Sequence, residues 1–233
     1  MTKQLLKSGG NILRVGNSGI AYYEAPPPPG FPANDDFSGL GDNSGVVGDA
    51  NWNRRWAWQE NAYTSYGTEP TFTITGSKLN ISTGAVSTNG ELFIDFSFLT
   101  GDFTVSMDYE VVQMIGDDFP GSAGIGVGII DSSNNYHFMN RIHFNFGGNY
   151  YGEGDSGISQ ATSDTANTLI VKRVGNNFSF CVGNDSNVIT TASTSSSVAK
   201  FIIRINNIIG NAYEVNVDNF TLVDGVGDPI DIP

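Results

Sequence analysis

Residues 102–112 read DFTVSMDYEVV. Phe103, Val105, Met107, Tyr109 and Val111 fall at every second position, and Thr104, Ser106, Asp108 and Glu110 stand between them. A period of two is the mark of an extended strand with one face in a core and the other in water. Outward from this stretch, further strands are predicted near 54–60, 71–75, 78–82, 91–98, 123–130, 136–146, 168–174, 177–183, 188–192, 199–206 and 212–223. GSK at 76–78 and GNN at 175–177 read as tight hairpin turns. Strands that each carry a single apolar face bury it most simply in two facing layers. The sequence therefore predicts an all-β fold, a two-sheet antiparallel β-sandwich.

Composition agrees. The chain has 233 residues, enough for one large β domain. Only 15% of them are charged, and β-branched and aromatic residues broken by Gly and Asn outweigh the usual helix formers. The formal net charge is −13. Such a surface repels a phosphate backbone, and no basic stripe overrides it, so nucleic acid is not an expected partner. Cys181 is the single cysteine, in the strand-like run NFSFCVGN, so no intrachain disulfide is expected. No run approaches the ~20 apolar residues of a membrane helix, and no membrane insertion is expected. The opening MTKQLLKSGGNILRV is interrupted by Lys7, Gly9 and Gly10, which argues against a signal peptide.

The chain divides by composition. Residues 1–25 hold three short apolar pieces, QLLKSGG, NILRVGN and GIAYYEA, each closed by Gly, Asn or Ala. They read as a miniature meander, too slight to bury a core alone. An anchor segment is expected here, with Leu5, Leu6, Ile12, Leu13, Val15, Ile20, Tyr22 and Tyr23 as its contacts to a larger particle. APPPPGFP follows, a stiff polyproline spacer, and gives a linker at 26–34. The sandwich is expected over 35–225 and a short extended tail over 226–233. GISQATSDTAN, at 157–167, reads as a polar loop.

Three stretches resemble the concanavalin A-like lectin/glucanase superfamily, including its laminin-G-like domains. They are SAGIGVGIIDSSNNYHFMNR at 122–141, TLIVKRVGNNFSFCVGN at 168–184 and YEVNVDNFTLVDG at 213–225, with NDDFSG at 34–39 in the place of the first strand. The resemblance implies a jelly roll and not an activity. LLKSGGNILRVGNSGIA, at 5–21, resembles the openings of tailed-phage structural proteins. Together the two resemblances imply a non-enzymatic virion surface protein, a capsid decoration, head-fibre or tail-fibre component. Its N-terminus would bind other virion proteins, its sandwich would bind host or environmental glycans, and it would assemble as a homo-oligomer, a trimer by analogy with such particles. Two alternatives stand beside this: a secreted or virion-borne polysaccharide-degrading enzyme, and a purely structural decoration subunit.

Candidate sites follow from the strand pattern. NWNRRWAWQE, at 51–60, holds all three tryptophans and puts Trp52, Arg54, Trp56, Trp58 and Glu60 on one face. Core filling is the favoured reading of such a face. The sharper reading is a sugar-stacking surface of Trp58 and Arg54. In YHFMNRIHFNF, at 136–146, Tyr136, Phe138, Ile142, Phe144 and Phe146 are expected in the core, with Asn140 as a polar interruption. The opposite face would present His137, Arg141, His143 and Asn145 to a glycan. Gly124, Gly126 and Gly128 line one face of their strand and invite close approach to its backbone.

Acids decide the enzyme question. Asp108 and Glu110 share a face, but Ser106 and Gln113 stand where a glucanase-like third acid is needed, and Glu91 and Asp95 have the wrong spacing. No catalytic set is expected. Oxygen-rich loops at Asp117, Asp118 and Asp131 suit calcium, the one cofactor considered, although polar turn chemistry alone explains them.

Overall fold

The computed structural model describes residues 6–8, 11–15, 21–24, 31–32, 56–60, 68–84, 88–114, 123–144, 147–153, 159–162, 165–207 and 212–232, with side chains at 68–84, 88–114, 123–140, 150, 165–207 and 212–230. In chain order the strands are β1 (Leu6–Ser8), β2 (Asn11–Val15), β3 (Ala21–Glu24), β4 (Phe31–Pro32), β5 (Trp56–Glu60), β6 (Thr71–Thr75), β7 (Lys78–Ser82), β8 (Thr88–Asp95), β9 (Phe103–Met114) and β10 (Ala123–Asp131). They continue with β11 (Tyr136–Phe144), β12 (Gly147–Glu153), β13 (Ser159–Thr162), β14 (Ala166–Val174), β15 (Asn177–Val182), β16 (Val188–Ser193), β17 (Val198–Asn207), β18 (Tyr213–Asp224) and β19 (Asp231–Ile232). No helix occurs among the described residues, so none of the length and apolarity needed to cross a membrane is present there.

The chain forms two compact units, Met1–Pro32 with Asp231–Pro233, and Ala33–Ile230. In the smaller unit β1, β2 and β3 make a three-stranded antiparallel meander, and β4 pairs with β19. Leu6, Ile12, Leu13, Val15, Tyr22 and Tyr23 lie on the meander strands, while Leu5 and Ile20 lie outside the described residues.

The larger unit is an antiparallel β-sandwich of two seven-stranded sheets. The first runs β13-β12-β11-β10-β17-β8-β5 and the second β16-β15-β14-β9-β18-β7-β6. Alternation places the core. On β9, Phe103, Val105, Met107 and Tyr109 point inward and are buried, as the period-two pattern requires. Aromatic rings join the layers: Phe201 of the first sheet lies 5.6 Å from Phe220 of the second and stacks on Phe96 at 5.6 Å. Elsewhere the Tyr109 and Tyr150 hydroxyls meet at 2.8 Å, and the Asn207 amide donates to the Thr83 hydroxyl at 2.7 Å, so polar groups between the sheets find partners there. Cys181 is fully buried. Burial, helped by Asp185, pushes its thiol up to about 11.

Two elements differ from the sequence reading. The expected polar loop at 157–167 contains β13. It is the edge strand of its sheet, so it needs no apolar run to be held there by ladder hydrogen bonds to β12. The stretch 147–153 is also a strand; its Gly-Gly-Asn opening masks the β signal.

Strand β10 governs the first sheet. All nine of its residues are buried, which requires cover on both faces. Ile125, Val127 and Ile129 fill the core side. On the other side a Cβ at Gly126 would collide with the Asn140 amide and lie 2.5 Å from the Met139 carbonyl, and one at Gly128 would lie 2.6 Å from the Phe138 Cβ. Side chains of β11 therefore occupy the space that a larger residue on β10 would need. Gly126→Ala should lower stability by about 1–3 kcal/mol through overpacking. A urea melt would show it, and adding Asn140→Ala should restore only part of the loss, because the Met139 carbonyl remains in the way.

Candidate functional site

The outer face of the first sheet carries buried polar groups where solvent-facing residues would ordinarily be exposed. Register explains the set. Asn140 on β11, Gly126 on β10, Arg204 on β17 and Glu91 on β8 are successive partners across four strands. Tyr151 and Gln59 extend this row by pairing with Asn140 and Glu91. The next row holds Phe138, Gly128, Ile202 and Phe93.

The empty glycine positions let groups on β11 and β17 meet across β10. The Arg204 guanidinium lies 4.3 Å from the Phe138 ring centre, and its Nε is 3.9 Å from Glu91 Oε1. Glu91 is 0% exposed and the Arg204 side chain 14%. A buried carboxylate is costly without a cation nearby, so the two charges sustain each other. Arg204 Nε has no hydrogen-bond partner among the described residues. That Nε is buried, and the acceptor nearest to it in the described residues is the Glu91 carboxylate. Further along the face, Lys200 Nζ lies 3.8 Å over the Phe93 ring. The face is thus an aromatic and amide floor with two stacked cations.

This reverses the expected polarity of β11. His137 and Met139 pair with Ile129 and Val127, which are core residues, so they take the inner side, and Phe138 and Asn140 take the outer. Aromatic residues were assigned to the core on hydrophobicity alone; the glycines opposite make room for one outside. His137 is accordingly removed from the glycan face. It stacks on Phe178 of the other sheet, ring centres 6.5 Å apart and planes within 6°, and reaches Asp131 at 3.5 Å. Arg141 and His143 pair with Ile125 and Ala123, and Trp58 with Leu92; the side chains of all three, together with Arg54 and Asn145, lie outside the described residues. Sequence alternation alone does not single out Arg204; its signal is a lone charged residue at the centre of the apolar strand FIIRINN.

Asp131 is corrected as a metal ligand. Its carboxylate accepts hydrogen bonds from the Ser133 and Asn135 backbone N–H groups at 2.9 Å, the Asn135 amide at 3.0 Å and the Thr194 hydroxyl at 2.9 Å. The carboxylate is fully buried as well as bonded, so a cation has no approach to it, and the residue ties the β10–β11 turn to the loop after β16. Burial pushes the carboxyl up. The Asn135 side chain and backbone, Thr194 and His137 outweigh that and hold it at about 2. Asp117 and Asp118 lie outside the described residues, among which no three His, Cys, Asp or Glu side chains converge on a metal position. On the second sheet Asp108 accepts from Thr168 at 2.5 Å and Asn219 at 2.8 Å, while Glu110 pairs with Lys78 at 2.8 Å.

No family model and no curated protein matches the chain. Solved structures do share its architecture. A sialidase aligns with a TM-score of 0.55 at 12% identity over 93% of this chain, which spans only 21% of that protein. An alginate lyase from Klebsiella pneumoniae aligns with a TM-score of 0.48 at 10% identity, covering 73% of this chain and 95% of the lyase. A marine PL7 alginate lyase from Zobellia galactanivorans gives 0.49 at 12%, covering 77% and 87%. At these identities the likeness is one of fold, the jelly-roll sandwich implied by the concanavalin A-like resemblance. The expectation of a non-enzymatic protein is accordingly not upheld: proteins named alginate lyases are among those similar in fold, and the fold alone assigns this chain neither an activity nor the lack of one.

The Asp131 clamp has a pH signature. A carboxyl held at about 2 when folded, against ~3.9 when unfolded, contributes stability above pH ~4 that is lost as pH falls from there through ~2. Asp131→Asn should cost about 2 kcal/mol at neutral pH. Urea melts of the two proteins should converge near pH ~2.

Proposed function

We propose that the sandwich is a polysaccharide-degrading domain working on its glycine-floored face, by elimination and not by hydrolysis. The observation that carries this is the row Asn140–Gly126–Arg204–Glu91, a buried polar line across an otherwise packed sheet. The sialidase and alginate lyase likenesses supply the context of sugar chemistry on such sandwiches.

Carboxylate count separates the two reactions. Glycoside hydrolysis needs two carboxyls, ~5 Å apart for retention and at most ~9.5 Å for inversion. Among the described residues the acids at register positions of this face are Glu91 and Asp95 on β8 and Glu153 on β12; four residues of strand set the first two about 13 Å apart, and four strand spacings put Glu153 about 19 Å from β8. Elimination needs no such pair. It needs a partner for the uronate carboxylate, so that the neighbouring carbon can lose its proton. It also needs a group to carry that proton as the glycosidic C–O bond breaks and a C=C bond forms. Arg204 and Asn140 are the proposed carboxylate partners, by charge-assisted and amide hydrogen bonds. Tyr151, next to Asn140 in register, is the position at which to test the proton-carrying role.

The smaller unit supports a second element of the reading. A meander of three short strands offers little core of its own and so suits attachment to a larger assembly, here a virion on which the enzyme is displayed as an oligomer.

Digestion of uronate polymers with the full chain should release fragments whose new C=C bond absorbs in the ultraviolet. Arg204→Ala should lower kcat/KM by ~100-fold, of the order seen when an electrostatic partner of the reacting group is removed, and Arg204→Lys should restore part of it. Release of saturated reducing ends without that absorbance would replace elimination by hydrolysis. Separately, a chain lacking residues 1–32 should keep its thermal melt yet fail to co-sediment with particles; continued incorporation would remove the attachment role.

A further inference from the structure

The solvent face of the second sheet holds a groove that the proposed reaction does not use. A cleft of about 440 Å³ is lined by Lys78, Asp108, Glu110, Thr168, Asn216 and Asp218, among others. A second depression of about 360 Å³, lined by Thr73, Thr75, Asn80 and Glu214, shares Asn216 with it. The two adjoin at Asn216, and together they cover β6, β7, β18, β9 and β14, adjacent strands that span about 19 Å at ~4.8 Å each. That length suits a short oligosaccharide better than a single small molecule.

The lining is pre-arranged. Asn80 Nδ2 reaches Glu214 at 2.7 Å and Asn216 at 2.9 Å, and the Thr168 hydroxyl and Asn219 amide both donate to Asp108. Two bulges in β18, at Glu214/Val215 and Asp218/Thr221, bracket the segment that carries Asn216, and such irregularities re-aim side chains. Amides and hydroxyls alternate with acids along the floor, which is the donor and acceptor mixture a sugar chain needs. Charge narrows the choice. Among the described residues Asp108, Glu110, Glu214 and Asp218 face a single cation, Lys78, whose ammonium is engaged by Glu110 and raised in pKa by that bond. A carboxylated chain would be repelled here; an amine-bearing one would be held.

We propose that this groove binds a glycan carrying free amino groups, a glucosamine-type chain, with its ammonium groups at Asp108 and Asp218 and its hydroxyls on Asn80, Asn216 and Thr168. The proposal shares no residue with the catalytic reading and does not depend on it.

Calorimetric titration of the full chain tests it with four probes: a deacetylated glucosamine oligomer, its N-acetylated counterpart, a uronate oligomer and a linear polyamine of matched charge. The deacetylated oligomer should bind at least tenfold more tightly than the other three. Asp108→Asn with Asp218→Asn should weaken it at least tenfold, while Arg204→Ala leaves it unchanged. Asp218→Asn alone, which spares the Thr168 bond, should give a smaller loss in the same direction and guards against misfolding of the double variant. Equal binding of the N-acetylated oligomer or of the polyamine, no binding at all, unchanged affinity in both acid variants, or loss on Arg204→Ala would each overturn the proposal.

Discussion

The site depends on the absence of side chains along one edge of β10. Three glycines at alternate positions put no side chain of β10 on the outer side of the first sheet, where side chains of β11 lie instead, while isoleucine and valine hold the inner side in the core. Only then can a phenyl ring on β11 and a guanidinium on β17 meet across the intervening strand. That contact keeps Arg204 extended over the sheet, and Arg204 in turn makes the burial of Glu91 tolerable. Removing the empty space would disturb each member of this chain of dependence. Packing, charge compensation and the proposed chemistry are therefore one arrangement.

Cations over aromatic rings occur on both sheets, Arg204 on Phe138 and Lys200 on Phe93 in the first and Arg173 on Phe178 in the second, while the acidic groove belongs to the second. A chain with net charge −13 would present a uniformly repulsive surface to uronates were its positive groups scattered. On β17 two of them stand four residues apart on one face, each opposite an acid of β8, Glu91 and Asp95.

Much of the fold was legible because alternation is a local property. Phe103 to Tyr109 announced the inner side of β9 without knowledge of any partner. Strands that lack apolar residues escaped this logic: β13 is polar and at an edge, held by backbone pairing that sequence does not display. The site was less legible for a related reason. Alternation says which residues of β11 share a face but not which face is inward; that depends on what lies opposite. Alternation alone puts Phe138 in the core with Asn140 as a polar interruption, and separately marks the glycines of β10 as an invitation to close approach. Joining those two readings required the register of Gly126 with Asn140. Asp131 shows the converse. Its loop had the oxygen content of a cation site, and only the donors from Thr194, distant in sequence, reveal that the protein has taken the cation's place.

The lone cysteine has a practical corollary. Cys181 is sealed in the core with its thiol pushed up to about 11, so almost none of it is thiolate at neutral pH and reagents cannot reach it. The wild-type chain is in effect blank to maleimides. A single cysteine introduced at an open position such as Val226 would then be the only handle for a fluorophore or spin label, with no background to subtract.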